Sequence, residues 1–389
     1  MRLLRSAVIY GANSSGKSNL IKAFAMMKNV ITSSVRLNPT SELAYEPFLL
    51  AVGNENKPTY FEVEFIKGRI FRYGFEYDKT TILKEWLFER KSGANAEKEV
   101  FLRIKNDIRT YDFQEGEGLE SKTNKNRLFL SLVAQLGGAL SQEILGWFEN
   151  FEILSGIVHK EYASDTKETL IDGGEKCDKI KSLLMKFSLG FNDITATRRD
   201  MIADDLPPRI WKSPKQKKNL LDFFYIEKFS TSHSRYDETG KIKDSLFFDP
   251  EVFESEGTKK MIDIIGPIVD ALLDGKVLAI DELDAKLHPL LTKKIINIFN
   301  SNVENPNNAQ LIFATHDTNL LSAELFRKDQ IWFTEKNKME QTDLYSLNNM
   351  VMPNGEKVRN DSSYEKNYIE GRYGAIPYFN SPMKVKKSK

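Results

Sequence analysis

Residues Gly11 to Ser18 read GANSSGKS, fit the pattern G-x-x-x-x-G-K-[ST], and arrive directly after the apolar run Ala7-Val8-Ile9-Tyr10. That order is strand, glycine loop, helix. A polyphosphate needs several donors at close range and no bulky side chains in the way. A loop with Gly11 and Gly16 can turn its backbone N–H groups inward, so that Asn13, Ser14 and Ser15 join the glycines around the phosphates. Lys17 supplies a point charge to the β- and γ-phosphates, and Ser18 offers a hydroxyl to Mg²⁺. The helix that follows has Asn19 in its first turn and Leu20, Ile21, Phe24 and Met27 on one face, and it aims its positive end at the same anion. The expectation is an α/β fold that binds a nucleoside triphosphate.

Composition narrows the setting. With 389 residues, 41% of them hydrophobic, the chain can bury a sizeable core. Basic and acidic residues number 56 and 55, for a net charge of +1, so contact with nucleic acid or membrane must come from a local patch. A single cysteine, Cys177, excludes an internal disulfide, and with His159, His233, His288 and His316 scattered along the chain it offers no zinc spacing. No stretch approaches the roughly 20 apolar residues of a membrane span, and the N-terminus has no apolar signal core. A reducing cytoplasm is the expected location.

Taken in order, the first helix is expected to end near Ser34, since Ser33 to Glu46 loses periodicity and carries Pro39. Tyr60 to Phe65 and Ile70 to Tyr77, with a turn at Lys67-Gly68, read as an antiparallel hairpin, with further strands at Ile82 to Arg90 and Val100 to Ile104. From Asn126 to Phe191 the pattern is helical, with Leu128, Leu132, Leu136 and Leu140 on one stripe and Ile180, Leu183, Leu184 and Phe187 on another. Arg198 to Lys218 reads as an exposed loop whose cluster Lys212, Lys215, Lys217 and Lys218 is either a solvated run or a nucleic-acid contact, with Trp211 beside it to stack on a base. Strands are expected at Phe223 to Phe229 and Ser245 to Phe248, joined through a turn at Asp237 to Gly240. The expected segments are an N-terminal lobe (1–125), a helical insertion with the basic loop (126–220), a C-terminal lobe (221–383) and a basic tail (384–389).

The second half carries the remaining chemistry. Ser255-Glu256-Gly257 opens a helix bearing Met261, Ile262, Ile265 and Ile268; it can present a hydroxyl and backbone donors to an anion, and it is equally an ordinary helix N-terminus. Val277 to Ile280 reads as a buried strand that delivers Asp281 and Glu282 at its C-terminal edge. There Asp281 can hold the water shell of Mg²⁺ while Glu282 polarises the attacking water, the division of labour that phosphoryl transfer to water requires. Leu311 to Thr315 is a third apolar strand ending in His316, placed to contact a γ-phosphate. His288, in Leu-His-Pro, reads as a cap or packing group and stays outside the catalytic set.

The series GANSSGKSN, ESEGT, LAIDELDAKLHP and FATHD resembles the Walker A, signature, Walker B with D-loop and switch-histidine motifs of ABC-type ATPases of the SMC/RecF branch. Within that branch the chain looks most like the AAA_15/AAA_21 group of bacterial phage-defence ATPases, the RloA and AbiLi kind. DQIWFTEK, TDLYSL and GRYGAIP are similar to that group's closing elements. The resemblance covers most of the chain. It implies a P-loop NTPase of ABC-ATPase type with a mixed central sheet, an antiparallel β subdomain and a helical insertion. It further implies an ATPase using ATP and Mg²⁺, with Lys17, Glu282 and His316 in catalysis, and two subunits paired head to tail. Carried over, Ser255 and Gly257 would complete the partner's ATP site, Asp284 would lie in the D-loop at the dimer contact, and His316 would sense the γ-phosphate. An effector encoded nearby and a role in abortive infection are the family's implied partner and pathway.

The chain departs from the family pattern in three places. The signature lacks the Leu-Ser-Gly-Gly start and sets Glu256 between its serine and glycine. No glutamine stands in a recognisable Q-loop context. The P-loop begins at residue 11, where relatives have further strands, which leads to the expectation that the native reading frame starts upstream of Met1. Two other functions stay open beside the ATP-hydrolysing switch. One is a DNA-repair ATPase or an overcoming-lysogenisation-type nuclease, against which stand the short chain after Leu347 and the lack of a further carboxylate cluster. The other is a nucleotide-gated scaffold that closes on DNA without turnover.

Overall fold

A computed structural model of the chain describes residues 3–91, 93–94, 96–202, 225–351, 355, 357–359 and 362–377; Trp211, the Lys212 to Lys218 cluster and the tail from Lys384 lie outside the described residues. The chain forms two compact units, Met1–Ile153 with Ile312–Lys389, and Leu154–Leu311.

In the first unit β1 (Ser6–Gly11) runs through the P-loop into α1 (Lys17–Ser33), which buries Ile21, Met27, Val30 and Ile31. Next come β2 (Thr59–Lys67), β3 (Arg69–Tyr77), β4 (Ile82–Arg90), β5 (Lys98–Ile104) and β6 (Asp107–Thr110), a five-stranded antiparallel meander. The hairpin expected at Lys67-Gly68 is present, with Lys67 opposite Arg69 and Gly68 at a φ of 63°. Phe65, Phe71, Tyr73, Phe75 and Phe101 line a core completed by Phe129 of α2 (Phe129–Gln135) and Phe148 of α3 (Ala139–Glu149).

The leucine stripe from Leu128 to Leu140 is not one helix. α2 stops at Gln135, Leu136 is exposed, Gly137 turns the chain at a φ of 95°, and Leu140 belongs to α3. The four-residue leucine spacing carries across the break, so periodicity alone reads through it. Within the stretch read as helical, β7 (Phe151–Ser155) is a strand too short to leave an alternation signal.

The second unit contains α4 (Ala163–Asp172) and α5 (Gly174–Phe187), the latter burying Ile180, Leu183, Leu184 and Phe187 as its pattern predicts. β8 (Asp193–Asp200), β9 (Tyr225–Tyr236) and β10 (Ile242–Phe248) form an antiparallel sheet, so Arg198 to Asp200 is strand rather than loop, paired with Tyr225 to Glu227. The expected turn holds: the Asp237 carboxylate accepts the N–H groups of Thr239 and Lys241. α6 (Glu256–Asp274) buries Met261, Ile262, Ile265 and Ile268, and leads to β11 (Val277–Asp281) and α7 (Pro289–Asn300).

The chain then re-enters the first unit through β12 (Gln310–Ala314), β13 (Ile331–Lys336), β14 (Thr342–Ser346) and α8 (Tyr364–Ile369). Here the strands run in the order β14-β13-β1-β12, with β13 parallel to β1 and antiparallel to β14, so the sheet is mixed.

Candidate nucleotide site

Strand β1 is buried from Val8 to Gly11, which fixes the point where the P-loop leaves the sheet. Gly11 and Gly16 are demanded by what approaches them. A Cβ on Gly11 would lie 2.4 Å from both Ser15 Oγ and Thr334 Oγ1, and one on Gly16 would lie 2.3 Å from Thr342 Oγ1. Gly16 also holds a φ of 110°, which L side chains rarely adopt. The two threonines, on β13 and β14, clasp the loop: the Ser15 and Thr334 hydroxyls are 2.7 Å apart, and Thr342 Oγ1 donates to the Ser15 carbonyl at 3.0 Å. Sequence reasoning did not single them out, because only the fold brings the closing hairpin to the loop.

Lys17 is buried, with Nζ donating to the carbonyls of Gly11 at 2.8 Å and Ala12 at 3.2 Å, which keeps the ammonium within the turn of the loop. Asn13, Ser14 and Asn19 are exposed, and Ser18 is half-buried in the first turn of α1. His316 is exposed just beyond β12. It is flanked by two anchors on β1: Thr315 N–H donates to the Ile9 carbonyl at 3.2 Å, and the Tyr10 hydroxyl donates to the Asp317 carbonyl at 3.1 Å. The first unit thus brings His316 to the strand that feeds the P-loop.

The second unit gathers the other motif residues. Ser255 caps α6, its Oγ accepting the Thr258 N–H at 3.2 Å. Glu256 lies between Lys286 at 3.0 Å and Lys259 at 3.3 Å, and the hydrogen bond from Lys286 is the larger pull holding its carboxyl below the ordinary range. A Cβ on Gly257 would lie 2.8 Å from the Lys286 carbonyl. The carboxylate that interrupts the signature is therefore paired with lysines of its own unit.

Asp281 ends β11 with Oδ1 buried and without a hydrogen-bond partner among the described residues. A buried acceptor of this kind wants a cation or its water, and this fits Mg²⁺. Glu282 follows at a φ of 54°. Asp284 Oδ1 is likewise buried and unpartnered among the described residues. Lys260, fully buried on α6, donates to the carbonyls of Ala285 at 2.7 Å, Leu283 at 2.8 Å and Glu282 at 3.3 Å. Burial pulls its pKa down to about 8, against the upward pull of Asp284 and Glu282. In the sequence Lys260 looks like one of a pair of surface lysines. His288 is a cap, its Nδ1 accepting the Leu290 N–H at 3.2 Å.

A buried strand feeding a glycine loop that is clasped around a lysine and opens a helix defines a P-loop nucleotide-binding fold. The chain belongs to the family described as AAA domain, putative AbiEii toxin, Type IV TA system, whose profile matches residues 6–151 and 213–322. This is the AAA_21 group to which the motif series points. Among solved structures, the chain is similar to an SMC head bound to the C-winged helix domain of ScpA (14% identity, 89% of this chain and 92% of that chain, TM-score 0.43). It is also similar to the SMC head domain from Thermotoga maritima (11%, 89% and 92%, TM-score 0.40) and to the recombination mediator RecF with ATP (12%, 89% and 93%, TM-score 0.29). No curated protein matches the chain.

Proposed function

We propose that the chain is an ATP-binding and ATP-hydrolysing switch that dimerises with ATP and acts with a partner effector in bacterial anti-phage defence. The observation that carries the nucleotide part is the loop itself: Gly16 at a left-handed φ and Lys17 drawn in by the Gly11 and Ala12 carbonyls. Lys17 then serves the β- and γ-phosphates, and Glu282 orients and deprotonates the attacking water. Mg²⁺, with Ser18 and Asp281 as its protein ligands, would neutralise phosphate charge. The family's description supports the defence role.

The test is ATP binding and turnover in three variants. Lys17→Ala is expected to lose binding. Glu282→Gln is expected to keep binding and lose turnover by about 10² or more, because only the base is removed. Light scattering of Glu282→Gln with ATP and Mg²⁺ should show a shift to dimer mass that Ser255→Arg abolishes. Parental turnover in Glu282→Gln sinks the base assignment, and a mass indifferent to ATP sinks nucleotide-gated pairing.

A further inference from the structure

The backbone around Glu282 is held from two sides. On one, Gly156 donates its N–H to the Asp281 carbonyl at 2.6 Å. On the other, Lys260 directs its ammonium at the carbonyls of residues 282, 283 and 285, three acceptors for three donors. Glu282 needs such holding. Its φ of 54° places a non-glycine residue in a sparsely populated region that persists only where the surroundings over-determine it. Within the loop, Ala285 N–H donates to the Glu282 carbonyl at 3.1 Å and Leu287 N–H to the Asp284 carbonyl at 3.0 Å, closing two successive turns over the lysine.

Lys260 stands about a turn and a half beyond Ser255 on the same helix. The start of that helix also meets the far end of the loop, where Gly257 approaches the Lys286 carbonyl and Glu256 pairs with the Lys286 ammonium. At the next turn Asp263 binds His159 at 2.7 Å, both side chains buried, which fastens α6 to the segment that carries Gly156. A shift of the Ser255 end of α6 therefore reaches the Glu282 backbone through Lys260 and through nothing longer than one side chain.

We propose that Lys260 is a positioning residue for Glu282: it fixes the left-handed backbone of the base and couples it to the Ser255 to Gly257 turn. The proposal rests on the reading of Glu282 as the base and adds the group that sets its orientation. The test uses the full chain with Lys260→Met, measuring ATP affinity, kcat, KM and amide hydrogen exchange at Ala285 and Leu287. The expected result is a kcat at least tenfold lower, ATP affinity within twofold of the parent, and faster exchange at those two amides without nucleotide. Lys260→Arg, which keeps the charge and the donors, should recover part of kcat. A folded Lys260→Met with kcat within twofold of the parent, or with unchanged exchange at Ala285 and Leu287, overturns the proposal. If Lys260→Met does not fold, Lys260→Gln takes its place, and the same changes in kcat and exchange support or overturn the proposal. Should the parent chain show no turnover, the base assignment fails, while faster exchange in the nucleotide-free variant still supports the clamp and unchanged exchange still overturns it.

Discussion

The carbonyl of Glu282 presses so closely on Gly156 that a Cβ added to the glycine would lie 1.9 Å from its oxygen. The contact is backbone on backbone, so no rotamer change relieves it. Gly156→Ala must push the Glu282–Leu283 peptide away and strain the neighbouring 2.6 Å bond from Gly156 N–H to the Asp281 carbonyl. The expected outcome is a destabilisation of roughly 1–3 kcal/mol, the usual range for overpacking, with turnover lost more than nucleotide affinity. Denaturant unfolding and an ATPase assay check it; parental values in both would show that the peptide has room to move.

Parts of this arrangement are legible in the sequence and parts are not, for a physical reason. Val277 to Asp281 and Gln310 to Ala314 announce themselves because a buried strand must be continuously apolar and the motif residues follow it at once. The P-loop is legible because its glycines answer to local geometry. Gly156, Lys260, Thr334 and Thr342 answer instead to what the fold brings against them, and nothing in their neighbours' types marks that. Glu85 is a sharper case: it stands in a strand text, KEWLFER, where a charged residue reads as outward-facing, yet it is fully buried. The misread leucine stripe has the opposite cause, since a helical spacing survived across a glycine turn that ends the helix.

The buried ammonium makes stability depend on pH in a definite direction. Lys260 has a folded pKa of about 8 against an ordinary 10.5, with burial as the main cause, Asp284 and Glu282 opposing it and Lys286 adding to it. Between those values the unfolded chain binds a proton that the folded chain has released, so stability from this group rises with pH across that window. Below pH 8 the cost of burying the charge is fully present, on the order of 3 kcal/mol. The melting temperature of the parent should therefore gain on that of Lys260→Met between pH 8 and 10. Parallel curves for the two proteins would show that proton binding at residue 260 is not linked to folding.

A second buried charge, remote in sequence from the P-loop, sets how the antiparallel meander grips α2. Glu85 accepts the Phe129 N–H at 2.7 Å, the Leu130 N–H at 3.0 Å and the Tyr73 hydroxyl at 3.0 Å, and Arg103 lies 3.5 Å away. Burial raises the Glu85 pKa and lowers that of Arg103, so each charge is costly without the other. Arg103 in turn donates to the carbonyls of Lys105 and Arg127, which ties the strand to the segment leading into α2. Glu85→Ala removes the cap from two helix N–H groups and strands the guanidinium, for an expected loss of about 3–5 kcal/mol. Glu85→Gln keeps one acceptor oxygen and the volume, so its cost should be smaller, about 1–3 kcal/mol. Chemical denaturation of the two variants separates the roles: equal losses would mean that the pairing of charge with Arg103, which both variants lose, rather than the acceptor that Gln retains, is what the fold requires.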